Sequence, residues 1–219
     1  ECWYNLQQDF FGRNYLKEQE KFDIAIKTPG VKKELVTIPY TTATNLFFAK
    51  VHGQNLIIGI TGSKGKSTTS SLIYEILKTA GKKVEFLGNI GKPMLERLLK
   101  PVGNDVIFVL ELSSAQLDDI KFSPDIAVVT SLFPEHMDYH KSIKNYYNAK
   151  KNIINFQSQN NCFIYNPKNK ITSDWLKDYK GKVAPFAKSI PFKKYEIPLI
   201  GEHNKNNIKA AISVAKILN

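Results

Sequence analysis

The sequence predicts an α/β fold, a mostly parallel sheet flanked by helices, and three observations carry that expectation. The stretches DVIFVLEL (105–112) and DIAVVTSL (125–132) are apolar on both strand faces, so both faces must be covered. Segments of helical periodicity separate such strands along the chain. A glycine-rich turn, Thr61-Gly62-Ser63-Lys64-Gly65-Lys66-Ser67-Thr68, joins one strand to one helix, which is the context a phosphate-binding loop requires.

The elements follow in order. Residues 22–26, FDIAI, read as a short buried strand, and KTPGV after them as a turn in which Pro29 fixes φ and Gly30 frees it. TATNLFFAKVHG reads as a short helix closed by Gly53, and residue 54 as a fresh start. Strand NLIIGI (55–60) leads through the loop to a helix over 66–80, where Leu72, Ile73, Ile76, Leu77 and Ala80 form one apolar stripe and Gly81 ends it. Strand VEFLG, a short helix near 93–100, the two apolar strands and a polar helix near 142–156 come next. CFIYN and KVAPF add two strands, and a last helix over about 204–218 is expected to bury Ile208, Ala211, Ile212, Ala215 and Leu218. Ligands of such sheets gather at the carboxyl ends of the strands.

Bulk properties narrow the classes. The 219 residues are 42% hydrophobic, and no apolar run approaches the roughly 20 residues of a membrane span, so neither a membrane nor a signal peptide enters the reading. The two cysteines, Cys2 and Cys162, have no metal-ligand spacing, which favours a reducing, cytoplasmic setting and argues against a metal held by sulfur. Lys and Arg outnumber Asp and Glu 31 to 20, but they are mostly lysines scattered as in KKYE and NPKNK. A dispersed lysine surface reads as solvation, so nucleic acid is not an expected partner, and a monomer is the expected state. The chain opens at Glu1 rather than at a methionine and stops at Asn219 beside an apparent helix, so it reads as a piece of something longer.

Chemistry-bearing residues then fall at strand ends. In the loop, glycines let backbone N–H groups converge on phosphate oxygens, Lys66 reaches terminal phosphates, and the Ser67 hydroxyl can ligate Mg²⁺. Ile60 stands where the strict phosphate-loop pattern has its first glycine. Glu111 appears at the carboxyl end of a strand after Val106 to Leu110, where a carboxylate can hold a hard cation directly or through water. Asn89 in GNIGKP lies just past another strand end and by itself reads as a turn residue. His136 in PEHMDYH follows a further strand end; with His140 four residues on, it would equally suit a helical zinc pair, though no third ligand lies nearby in sequence. YYNAKKNI by itself reads as a lysine-rich helix face.

Taken in order, TGSKGKST, GNIGKP, LELSSAQL, PEHMDYH, the Y-x-x-A-K of Tyr146 to Lys150, and GEHNKNN at 201–207 resemble the Mur ligase family of bacterial cell-wall synthesis. The resemblance implies a P-loop-containing central ATP-binding domain over 54–219, and in 1–53 the second half of a Rossmann-like, UDP-binding N-terminal domain. The family's C-terminal domain is expected to be missing from this chain. GNIGKP and LELSSAQL are most similar to members that add D-glutamate to UDP-N-acetylmuramoyl-L-alanine, which implies those two substrates, ATP and two Mg²⁺ ions. On that resemblance Gly62, Ser63, Lys64, Gly65, Lys66, Ser67 and Thr68 cradle ATP, with Lys66 on the β- and γ-phosphates and Ser67 on one Mg²⁺. Glu111 and His136 would serve the second Mg²⁺ together with Lys150, the lysine that family members carry as a carbamate; because Lys151 is adjacent, that register rests on the Y-x-x-A-K match. Asn89 and Ser113 would face the muramoyl substrate, and Asn204 and Asn207 would lie near adenine and ribose. There are departures: Ser131 stands where many members have asparagine, Tyr139 replaces a common arginine, and NPKN at 166–169 lacks an acidic pair. Two other readings stay open, a folylpolyglutamate-synthetase-like ligase and a nucleotide-binding module without catalysis.

Overall fold

In the computed structural model, which describes residues 15–191, 199 and 201–218, strands and helices alternate as the apolar patterns require. After a 3₁₀ helix at Tyr15–Lys21, strands β1 (Ala25–Lys27) and β2 (Tyr40–Thr42) pair in parallel and α1 (Ala43–Val51) follows. Next come β3 (Ile57–Thr61), α2 (Lys66–Thr79), β4 (Val84–Gly88), α3 (Met94–Arg97), β5 (Ile107–Glu111), α4 (Ser114–Asp118) and β6 (Ile126–Val129). The described chain continues with α5 (Met137–His140), α6 (Ile143–Asn155), β7 (Cys162–Tyr165), α7 (Lys170–Trp175), β8 (Lys182–Pro185) and α8 (Glu202–Leu218).

The larger sheet has the order β4-β5-β3-β6-β7-β8, with every neighbouring pair parallel. The chain winds to one side of β3 for β4 and β5 and to the other for β6, β7 and β8. The carboxyl end of β3 therefore sits where the winding reverses, the place where open α/β sheets hold ligands. Strand alternation supplies two cores. Ile57, Phe108 and Leu110 face one way, against Phe47 and Phe48 of α1, Leu117 of α4, Ile153 of α6 and Trp175 of α7. Ile58, Ile60, Val109 and Val128 face the other, against Ile73 and Leu77 of α2 and Ala210, Ala211 and Val214 of α8. Two covered faces are why these strands carry no polar alternation.

Several expectations need adjusting. FDIAI was expected to be a strand over 22–26, but pairing spans only Ala25–Lys27, whose partner β2 is equally short. Lys27 ends β1 buried: its ammonium pairs with Asp119 at 2.7 Å and donates to the Val31 carbonyl at 2.8 Å, fixing the turn that follows. On α2, Ile73 and Leu77 are buried but Ala80 is exposed, because the helix ends at Thr79 and Gly81 turns the chain with φ +74°. On α8, Ile208 and Ala211 are buried as expected, while Ile212, Ala215 and Leu218 are only half-buried; Asn207, Ala210, Ser213 and Val214 share the inner face instead. The short helices α4, α5 and α7 have no apolar period to announce them; α4 and α7 are started by polar caps, Ser113 with Gln116 in a capping box and Asn169 accepting from Ile171 and Thr172. Cys2, KKYE and the chain end at Asn219 lie outside the described residues.

Candidate nucleotide and metal site

The phosphate loop is clamped by both strands that flank β3. Thr61 Oγ1 donates to the Leu112 carbonyl at 2.8 Å beyond β5, and Thr130 N donates to the Thr61 carbonyl at 2.9 Å beyond β6. Ser63 N donates to the Ser131 carbonyl at 2.6 Å, and Ser63 Oγ to the Phe133 carbonyl at 2.7 Å. Ser131 holds Lys64 at both ends: its hydroxyl donates to the Lys64 carbonyl at 2.8 Å and accepts from Lys64 N at 3.0 Å.

Glycine is required at two loop positions for different reasons. A Cβ on Gly62 would lie 2.0 Å from Thr130 Oγ1, too close for any side chain. Gly65 is the left-handed N-cap of α2, with φ +87°, and a Cβ there would lie 2.3 Å from Asn207 Oδ1. Gly65→Ala is therefore expected to lower stability by about 1–2 kcal/mol and to weaken ATP binding by tenfold or more, measured by urea unfolding and nucleotide titration. Unchanged binding would show that the loop shape is not what recognises the nucleotide.

The first helical bond of α2 runs from Thr69 N to the Gly65 carbonyl, so the amides of Lys66, Ser67 and Thr68 precede it and are available to an anion, with the helix dipole behind them. The Lys66 ammonium folds back onto the Gly62 and Ser63 carbonyls, at 3.1 and 2.9 Å. Lys150 approaches the same loop from α6. It is 1% exposed, donates to the Gly62 carbonyl at 2.9 Å, and lies 4.8 Å over the Tyr146 ring. Burial, reinforced by the neighbouring Lys66 ammonium, pushes the Lys150 pKa down to about 7, and Glu135 opposes the shift. Lys151, by contrast, is half-buried and lines a separate small cavity beside Trp175. The two adjacent lysines thus have different places, and only Lys150 reaches the loop.

Glu111 ends β5 with 1% of its surface exposed. Its Oε1 accepts from Asn89 Nδ2 at 3.0 Å, while Oε2 is buried with no partner. A buried carboxylate oxygen without a donor is costly unless a cation takes it, so this atom suits a hard metal ion such as Mg²⁺. Asn89 and Glu111 are brought together by the parallel register of Gly88 with Glu111, and Asn89 N also donates to the Glu111 carbonyl at 2.9 Å. Ser113 lies two residues beyond, but its hydroxyl accepts from Gln116 N at 3.2 Å as the cap of α4. His136 is exposed at the start of α5 with φ +54°, a conformation rarely adopted by a residue with a side chain. Its ring stands 6.3 Å from that of Tyr146. His140 diverges from it: it is buried, hydrogen-bonded to Ser114 Oγ at 2.9 Å, and its pKa is lowered by that burial. Among the described residues no three His, Cys, Asp or Glu side chains are placed to hold a metal ion together.

Two further parts complete the constellation. Asn207 donates to Asn204 Oδ1 at 3.1 Å, and its own Oδ1 abuts Gly65, so the start of α8 is docked on the loop. Tyr146 is the residue that sequence reasoning left without a role. It is fully buried, its hydroxyl meets Ser63 Oγ at 3.0 Å, and its ring touches Lys150, His136 and His140. Its spacing of four from Lys150 places both on one helix face, which was the available signal.

A parallel sheet whose central strand ends in an amide-lined loop, with a buried carboxylate and a buried lysine beside it, is an arrangement in which α/β domains can hold phosphate groups. The family model described as the Mur ligase middle domain matches residues 60–194, more than half of the chain, and the chain belongs to the Mur ligase family. It is 40% identical, over 81% of its length, to the UDP-N-acetylmuramoylalanine–D-glutamate ligase of Clostridium acetobutylicum, and it spans 40% of that relative. Among solved structures, the UDP-N-acetylmuramate:L-alanyl-gamma-D-glutamyl-meso-diaminopimelate ligase from Neisseria meningitides aligns with a TM-score of 0.65 at 18% identity, covering 93% of this chain and 76% of that one. A MurF ligase from Thermotoga maritima in complex with ADP aligns with a TM-score of 0.63 at 17% identity, covering 89% of this chain and 53% of that one. At these identities the two structures establish the shared fold.

Proposed function

We propose that the chain is the ATP-binding core, with part of the acceptor-binding domain, of a ligase that joins D-glutamate to UDP-N-acetylmuramoyl-L-alanine. The observation that carries this reading is the meeting of the Lys66 and Lys150 ammonium groups on the Gly62 carbonyl, close to the end of the sheet where Glu111 Oε2 lies unpartnered. In this reading residues 1–53 belong to the UDP-binding domain and 54–219 to the central domain, and the enzyme works as a cytoplasmic monomer.

The acceptor carboxylate would attack the γ-phosphorus of ATP, releasing ADP and leaving an acyl phosphate; the D-glutamate amine would then attack the acyl carbon, releasing phosphate and a proton. Gly62 to Thr68 would hold the ATP phosphates, with Lys66 placed over the transferring group. Ser67 would hold one Mg²⁺ ion, and Glu111 Oε2, His136 and a carbamylated Lys150 the other; bound there, the ions would neutralise phosphate charge. Carbamylation needs an uncharged amine, and a lysine with its pKa near 7 supplies one. Asn89 and Ser113 would approach the muramoyl substrate, and Asn204 and Asn207 the adenosine.

The longer protein, given ATP, Mg²⁺ and UDP-N-acetylmuramoyl-L-alanine, is expected to incorporate radiolabelled D-glutamate and not L-glutamate. Use of L-glutamate on a folate acceptor would transfer the assignment to a folylpolyglutamate-synthetase-like enzyme, and ATP binding without either would make the chain a nucleotide-binding module. The 219-residue chain itself is expected to bind ATP without turnover, because it spans less than half of its curated relative.

A further inference from the structure

Asn89 spends its backbone and its side-chain amide on one residue. Its N–H donates to the Glu111 carbonyl at 2.9 Å, and its Nδ2 donates to Glu111 Oε1 at 3.0 Å. A carboxylate oxygen of a charged glutamate only accepts, so the end of the Asn89 amide that faces it is the nitrogen. Among the described residues Asn89 Oδ1 has no partner. The turn that presents Asn89 is fitted to this contact. Gly88 stands in register with Glu111, and a Cβ on it would lie 2.4 Å from the Glu111 carbonyl oxygen, so any side chain there would push the turn off β5. Asn89 is exposed and Glu111 is buried, which lays the amide on the solvent side of the carboxylate.

The consequence falls on the other oxygen. With Oε1 occupied by Asn89, Oε2 is left inside the protein with no donor. A carboxylate held in this way offers a cation one oxygen rather than two. That difference sorts hard cations by geometry. Mg²⁺ demands a near-ideal octahedron, which the narrow bite of both oxygens of one carboxylate distorts, whereas Ca²⁺ takes about 6–8 oxygens and accepts a carboxylate through one oxygen or both.

We propose that Asn89 is a positioning residue for the metal carboxylate: by holding Oε1 it limits Glu111 to coordination through Oε2 alone and biases the site toward Mg²⁺ over Ca²⁺. Because Asn89 is exposed, its side chain can swing aside to admit the cation and close again on Oε1. The inference rests on the reading of Glu111 as a ligand of the second cation. It adds a role to the approach of Asn89 to the acceptor, for which Oδ1 is still free.

The test uses the 219-residue chain with saturating ADP in bicarbonate buffer, following Mn²⁺ by electron paramagnetic resonance with Mg²⁺ and Ca²⁺ as competitors. The site is defined by the Mn²⁺ equivalent that Glu111→Gln removes. There Mg²⁺ is expected to compete better than Ca²⁺. Asn89→Leu should weaken Mg²⁺ by about tenfold or more, the usual cost of losing a group that orients a metal ligand. Ca²⁺ should lose little or gain, because the freed Oε1 lets the carboxylate bind through both oxygens, so the preference for Mg²⁺ should fall by about tenfold. Leucine keeps the volume and the backbone bond to the Glu111 carbonyl, so the melting temperature should be unchanged. A merely structural asparagine would weaken both ions alike. Equal weakening of the two, no change in either, or a wild-type site without preference for Mg²⁺ overturns the proposal and leaves Glu111 as a ligand. A Mn²⁺ count untouched by Glu111→Gln overturns it together with the metal reading.

Discussion

Lys66→Ala in the longer protein is expected to cut D-glutamate-dependent phosphate release by about 10²–10³-fold, the usual loss when one charged donor to a transition state is removed. The melting temperature should stay within about 2 °C, because among the described residues the Lys66 ammonium bonds to the Gly62 and Ser63 carbonyls of its own loop. A second consequence separates this variant from a merely damaged loop. The Lys66 charge is the second cause, after burial, of the depressed Lys150 pKa, so removing it should let Lys150 titrate at higher pH. Phosphate release at the wild-type rate would remove Lys66 from the chemistry; lost activity together with a large fall in melting temperature would assign it a structural role instead.

The parts legible in the sequence are those whose physics is local. β5 and β6 declared themselves by being apolar on both faces, and Glu111 by following such a run at the carboxyl end of β5. The loop was legible for the same reason: glycines at 62 and 65 answer a backbone demand, since a Cβ there would come within 2.0 Å of Thr130 Oγ1 and 2.3 Å of Asn207 Oδ1. Lys150 was a different matter. Its neighbour Lys151 has the same chemistry, and a helix face is decided by what packs on it, so only the motif with Tyr146 singled out Lys150, the lysine that reaches the loop. Tyr146 itself went unassigned because its partners, Ser63, His136 and Lys150, meet only once α6 docks against the loop. The Lys27–Asp119 pair, joined by the Tyr40 hydroxyl at 2.8 Å, was equally invisible, since nothing local in either segment names the other. The same holds for Asn207, whose approach to Gly65 depends on α8 lying over α2. The short helices α4, α5 and α7 were missed because a single turn has no period to read.

Lys150→Met is expected to raise the stability of the metal-free chain while abolishing ligase activity in the longer protein. A lysine in an unfolded chain keeps its proton up to about pH 10.5, whereas burial lowers the folded value to about 7. Between those two values the unfolded state binds the extra proton, so wild-type stability should climb with pH, by up to about 1.4 kcal/mol per pH unit. Below pH 7 both states hold the proton and the whole penalty of a buried charge is present. Methionine fills the same space without that charge, at the loss of the bond to the Gly62 carbonyl and the contact with the Tyr146 ring. The net gain should be on the order of 2–3 kcal/mol at pH 6–7 and shrink toward pH 10, read from urea unfolding curves of both proteins across that range. A methionine variant that is less stable at pH 6, with the same pH slope as wild type, would mean that Lys150 is well accommodated as a cation. If the expected slope is found, the fold sustains at its phosphate loop a group that weakens it, which is the pattern of a residue kept for chemistry rather than for packing.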